Sequence, residues 1–281
     1  MSLKITKPLV TVDWLYKHIN DTNLVVLDCT IPKVTDVATT DIAKKCIKGA
    51  LFFDLKKTFS DQNATLPNTV LTAEVFERKA QELGINNNSV IICYDDLGIY
   101  SAPRVWWMFQ LMGFKNIAVL DGGLPEWNAN NYPTVANYSI KSDKGNFTVD
   151  FKPNKLKNTA AVYKAMSNDT SVIIDARSEE RFLGTAPEPR PELSSGHIPN
   201  SINIPFKFVL ESRKMKSFDD LFKIFTKFKN ENEIIFTCGS GITASILALA
   251  AAVLEIKNTA VYDGSWTEWA SNGNLPIVKE V

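Results

Sequence analysis

The chain repeats itself, and that repeat constrains the fold more than any other feature of the sequence. Val25-Val26-Leu27-Asp28 returns 147 residues later as Val172-Ile173-Ile174-Asp175. The run Val90-Ile91-Ile92-Cys93-Tyr94-Asp95 returns as Glu233-Ile234-Ile235-Phe236-Thr237-Cys238, and Ala118-Val119-Leu120-Asp121-Gly122-Gly123 as Ala260-Val261-Tyr262-Asp263-Gly264-Ser265, at spacings of 143 and 142. A β-branched apolar run ending in a polar residue reads as a buried strand that delivers a side chain to the loop beyond it. Nearly constant spacing over a domain's length means one fold used twice, and 281 residues suffice for two domains of ordinary size.

Helical patterns alternate with the strands. Glu74 to Leu83 places Val75, Phe76, Ala80 and Leu83 on one stripe and stops at Gly84. Ser217 with Asp220 forms a capping box ahead of Leu221, Phe222, Ile224, Phe225 and Phe228. The alternation predicts an α/β protein of two tandem domains, each a mainly parallel sheet flanked by helices. Residues 1–136 form the first domain, the polar stretch 137–156 a linker, and 157–281 the second domain, with a cleft between the two.

Composition excludes several classes. Lys plus Arg and Asp plus Glu are 31 each, so the chain has no net charge to attract a polyanion, and neither nucleic acid nor a membrane surface is expected as a partner. Its two histidines (His18, His197) and four cysteines (Cys29, Cys46, Cys93, Cys238) form no C-x-x-C or His–Cys cluster, so no metal and no cofactor is expected. The apolar run Ala244 to Leu254 would span about 16 Å as a helix, short of a roughly 30 Å bilayer core. Charged residues and Pro8 interrupt the opening MSLKITKPLVTVDWLYKH, which reads as mature protein, and widely spaced cysteines suit reduced thiols; the expected location is the cytoplasm.

The two copies differ where chemistry is expected. In the second, the strand runs into Cys238-Gly239-Ser240-Gly241-Ile242-Thr243, and a helix of small and apolar residues starts at Ala244. A thiol between a strand end and a helix N-terminus lies where backbone N–H groups and the helix dipole converge, which favours the thiolate. The glycines let successive N–H groups curl towards one atom as an anion-binding nest. Cys238 is therefore the candidate nucleophile. The first copy has Asp95 at the same place, so the first domain reads as a scaffold, while Cys29 and Cys93 read as packing residues of apolar strands.

Cys238-Gly-Ser-Gly-Ile-Thr243 belongs with Asp175-Ala-Arg-Ser-Glu-Glu-Arg-Phe182, Glu188-Pro-Arg-Pro191, Gly196-His-Ile-Pro-Asn-Ser201, Ser101-Ala-Pro-Arg-Val-Trp-Trp107 and Tyr262-Asp-Gly-Ser-Trp-Thr-Glu-Trp269. In these segments the chain resembles the two-domain rhodanese-type sulfurtransferases over essentially its whole length, and its cysteine loop is similar to that of the 3-mercaptopyruvate branch. The resemblance implies ping-pong transfer, in which Cys238 takes sulfur from a donor, holds it as a persulfide, and passes it to cyanide, a dithiol or thioredoxin. It also implies that Arg181 and Arg190 hold the donor's carboxylate and keto oxygen, a task suited to planar guanidinium groups. Gly239, Ser240, Gly241, Ile242 and Thr243 form the substrate-binding loop, with Ser240 and Thr243 as possible hydroxyl donors or helix caps. Arg177 reads as a structural partner of Asp175.

Thiosulfate-preferring relatives carry basic residues after the cysteine, where this chain has Gly239 and Ser240. The neutral loop favours 3-mercaptopyruvate, with thiosulfate:cyanide transfer and a non-catalytic binding module as alternatives. A phosphatase of this fold needs an arginine where the chain has Ala244. Mercaptopyruvate enzymes also resemble one another in a first-domain histidine proposed to form a relay with the loop serine. Here that segment reads Cys46-Ile47-Lys48-Gly49. His18 reads as a surface residue and His197 as structural, so thiolate activation is expected without a Ser-His-Asp relay. Cys46, if it faces the cleft, is a candidate for a disulfide with Cys238.

Overall fold

Each copy builds a five-stranded, fully parallel sheet, and the strand order is the same in both. The first runs Leu9–Val10, Ile117–Leu120, Val90–Tyr94, Leu24–Asp28, Leu51–Phe52. The second runs Leu156–Lys157, Thr259–Tyr262, Glu233–Thr237, Ser171–Asp175, Ile202–Asn203. This is a computed structural model, and it describes residues 3–31, 45–141, 143–168, 170–229 and 231–280. The central strands Val90–Tyr94 and Leu24–Asp28 are buried along their whole length, as continuous apolar runs in a parallel sheet require.

Helix starts follow local chemistry. Thr72 Oγ1 accepts from Val75 N at the head of the helix Ala73–Glu82, and Gly84, just past its end, has φ +73°. Ser217 Oγ accepts from Asp220 N at 3.2 Å and donates to Asp220 Oδ2 at 2.7 Å, so Ser217 caps the helix Phe218–Phe225, with the Asp220 carboxylate bound to the serine hydroxyl in place of the backbone N–H of a full capping box. Leu221, Phe225 and Phe228 face the core, but Phe222 is exposed. Among the described residues no helix is long and apolar enough to cross a membrane.

Residues 1–62, 70–152 and 212–215 form one compact unit; residues 63–69, 153–211 and 216–281 form the other. Most of the stretch expected as a linker, up to Lys152, falls in the first unit. Within the first unit Tyr138 Oη donates to Asp28 Oδ2, Ser139 N to Ala50 O and Lys152 N to Leu111 O. Phe147 is fully buried against Phe76, Phe109 and Phe114. Gly145 makes that path possible, because a Cβ there would fall 1.9 Å from Ile85 O. The stretch is polar in sequence yet anchored by one aromatic plug and backbone hydrogen bonds, which residue type alone does not announce. Leu156–Lys157, at its end, is the edge strand of the second sheet.

Candidate active site

Cys238 leaves the carboxyl end of the middle strand of the second sheet, with Ser171–Asp175 paired on one side and Thr259–Tyr262 on the other. It is only 2% exposed. The loop 239–243 follows, with Gly241 at φ +80°, and the buried helix Ala244–Val253 begins directly after it. Thr243 makes no side-chain capping bond. Ser245 Oγ instead donates to Gly241 O at 3.2 Å.

The start of the loop is held by the next strand–helix junction. Cys238 N donates to Ser265 Oγ at 3.2 Å, and that hydroxyl donates to Tyr262 O at 2.7 Å. Trp266 N donates to Cys238 O, and Gly239 O accepts from both the N–H and the hydroxyl of Thr267, the latter at 2.7 Å. Ser265 holds φ +51°, a left-handed backbone that costs a non-glycine residue about 1 kcal/mol or more. The first copy has Gly123 here at φ +53°. The second copy keeps the strain together with the hydroxyl that binds the cysteine's N–H.

The two arginines expected to hold the donor, Arg181 and Arg190, both approach Gly239. Arg190 Nη1 donates to Thr267 Oγ1 at 3.0 Å, the hydroxyl that holds Gly239 O. A Cβ built on Gly239 would lie 3.2 Å from Arg181 Nη2, so the bare glycine is what lets that guanidinium sit against the loop. Arg181 is oriented by Glu188, to whose two carboxylate oxygens its Nε and Nη2 donate. Glu188 Oε1 also accepts from Arg177 Nη1 at 2.8 Å, and Arg177 Nη2 reaches Asp175 Oδ2 at 2.6 Å and Gly196 O at 2.7 Å. The Arg177 side chain is fully buried over the Trp266 ring, as a structural partner should be. Two carboxylates thus balance two guanidinium groups, and the outer one, Arg181, keeps a quarter of its side-chain surface open.

The first copy has Asp95 at the position of the thiol. Asp95 is fully buried; its Oδ2 accepts from the N–H groups of Tyr100, Ser101 and Ala102 at 2.8 to 2.9 Å, and its Oδ1 from Leu97 N at 3.0 Å. Burial pushes the Asp95 carboxyl above its ordinary value, against these four N–H bonds. In the first copy a side chain of the protein itself thus takes up the N–H groups of the loop after the strand.

Cys46 stands in the strand Cys46–Ile47 of the first unit, buried, with its Sγ donating to Val135 O at 3.6 Å. No disulfide joins Cys46 and Cys238 in this structure. His18 pairs with Asp21 at the surface. His197 is buried, stacks on Phe182 at 3.8 Å and bonds Phe182 O through Nδ1, a structural residue. Among the described residues no group of three or more His, Cys, Asp or Glu side chains is placed to hold a metal.

Four residues around this loop escaped the sequence reading in their roles: Glu188, Ser265, Thr267 and Asn68. The first three lay inside recognisable segments without a stated task. Asn68 Nδ2 donates to Ser240 O at 3.1 Å and to Ser240 Oγ at 3.0 Å from 172 residues away, and no local signal points to it.

The rhodanese-like domain family matches residues 11–130 and 159–272. The chain belongs to this family. Each rhodanese domain corresponds to one copy of the repeat, and the thiol loop lies in the second. The chain is 34% identical over 273 residues to the 3-mercaptopyruvate sulfurtransferase of Escherichia coli strain K12, covering 95% of this chain and 96% of that protein. It is 37% identical over 303 residues to an Arabidopsis thaliana protein named thiosulfate/3-mercaptopyruvate sulfurtransferase 2, covering 98% and 88%. Among solved structures it is similar to an E. coli 3-mercaptopyruvate sulfurtransferase, with a TM-score of 0.81 and 32% identity over 93% of this chain and 99% of that one.

Proposed function

We propose that this rhodanese-family chain is a 3-mercaptopyruvate sulfurtransferase, and the observation that carries the reading is the convergence of Arg181 and Arg190 on the uncharged loop behind Cys238. Two guanidinium groups beside a loop of Gly239, Ser240 and Gly241 match a monocarboxylate keto-thiol, with the arginines taking its carboxylate and keto oxygen. The Cys238 thiolate attacks the donor's sulfur. The new S–S bond forms as the donor's C–S bond breaks, and the electron pair leaves on carbon as the enolate of pyruvate. The proton of the donor's thiol ends on the pyruvate methyl group, which leaves Cys238 as an anionic persulfide. The loop N–H groups receive that charge as those of the first copy receive Asp95. An acceptor then attacks the outer sulfur: cyanide gives thiocyanate and regenerates the thiolate, and a dithiol such as reduced thioredoxin takes the sulfur in the cell. Four widely spaced cysteines suit a reducing, cytoplasmic setting.

The test is pyruvate release from 3-mercaptopyruvate beside thiosulfate:cyanide transfer, with wild type and Cys238→Ser. The reading expects pyruvate release from the wild type alone. Transfer from thiosulfate only would overturn the donor assignment, and activity with neither donor would favour a non-catalytic binding module.

A further inference from the structure

Ser240 is the loop hydroxyl nearest in sequence to the nucleophile, and its partner is an amide. The short segment 63–69 leaves the first half of the chain and belongs to the second compact unit. It presents Asn68, 6% exposed, to the active-site loop. Asn68 has φ +62°, a left-handed conformation that asparagine tolerates better than other side-chain-bearing residues, and Thr69 Oγ1 closes the turn onto Leu66 O at 3.0 Å.

The orientation of the amide is fixed by its contacts. Ser240 O is a carbonyl and can only accept, so the atom 3.1 Å away must be the NH2 group. That group also lies 3.0 Å from Ser240 Oγ, which therefore accepts as well. A hydroxyl that accepts from an amide keeps its own proton to give elsewhere. An amide N–H has no basicity to take that proton, so this contact cannot act as the relay base that a histidine could supply.

We propose that Asn68 is a positioning residue for sulfur transfer: by donating to Ser240 O and Oγ it fixes the loop serine as a hydrogen-bond donor to the reacting group, the negative sulfur or the oxygen of the departing enolate. Ser240 keeps its proton throughout and never becomes an alkoxide. The inference rests on the sulfurtransferase reading and deepens it by assigning the loop serine a role without a histidine.

The experiment is a double-mutant cycle on the full chain with Asn68→Gly, which keeps the left-handed backbone and deletes the amide, and Ser240→Ala. Asn68→Asp, which keeps size and backbone but cannot donate, is the companion to Asn68→Gly. Each single variant is expected to lower kcat for pyruvate release about tenfold with donor KM nearly unchanged, one hydrogen bond's worth. The double variant should fall no more than about twofold below Ser240→Ala, because Asn68 acts chiefly through that hydroxyl. Equal losses for Asn68→Gly in both backgrounds, or kcat unchanged in both Asn68 variants, would overturn the proposal. If the wild type used thiosulfate and not 3-mercaptopyruvate, the donor assignment would fail, and the same cycle on thiosulfate would still decide the role of Asn68.

Discussion

Glu188 grips Arg181 through both carboxylate oxygens while Oε1 also binds the buried Arg177. Arg181, the arginine proposed to meet the donor, is thus aimed by a carboxylate anchored in the core. Removing that carboxylate leaves Arg177 with one countercharge in a dry setting, and breaking a buried pair from one side costs about 3 to 5 kcal/mol. Glu188→Ala should lower unfolding stability by at least 2 kcal/mol in urea titrations, and the surviving enzyme should show a donor KM raised at least tenfold. An unchanged KM would separate Glu188 from substrate binding.

Gly239→Ala places a methyl group 3.2 Å from Arg181 Nη2. The guanidinium is the far end of a flexible side chain and can give by a few tenths of an ångström, so the fold should tolerate the change. Donor KM should rise several-fold while the melting temperature stays within about 2 °C.

Ser265 combines a strained backbone with a needed hydroxyl. Ser265→Ala keeps the strain and loses the bond to Cys238 N, whereas Ser265→Gly loses the bond and relieves the strain. Both should lower kcat, and the glycine variant should be the more stable by about 1 kcal/mol. Thermal melts of the pair check the order.

Ser240→Ala should retain measurable turnover, since Ser240 donates a hydrogen bond and passes on no proton, whereas Cys238→Ser should be inactive. Single-turnover pyruvate release from the two variants makes the comparison. Equal, complete loss would restore a relay serine.

Asp95→Ala strands four N–H groups in the core of the first unit. Its stability should fall by about 2 to 4 kcal/mol with kcat unaffected. The pH dependence has a definite sign. The folded-state pKa is raised, so the native protein binds the Asp95 proton more tightly than the unfolded chain, and this contribution to stability is full below the ordinary carboxylate value and lost as pH rises through the folded value. The advantage of wild type over Asp95→Asn should therefore be larger in mildly acidic buffer than at neutrality.

The doubled α/β fold, and the loop in which a nucleophile is expected, are legible in the sequence alone. Strand runs, helix caps and the Cys-Gly-x-Gly turn are written in neighbouring residues, and backbone geometry over five or six positions is enough to read them. The same locality explains what stayed hidden. Nothing near Asn68 marks it as the partner of Ser240, nothing near Ser265 says that its hydroxyl carries Cys238 N, and Phe147 looks like one aromatic in a polar connector. Those roles depend on which distant segments folding brings within hydrogen-bonding or van der Waals reach, and contacts at that range are decided by the three-dimensional packing of each unit.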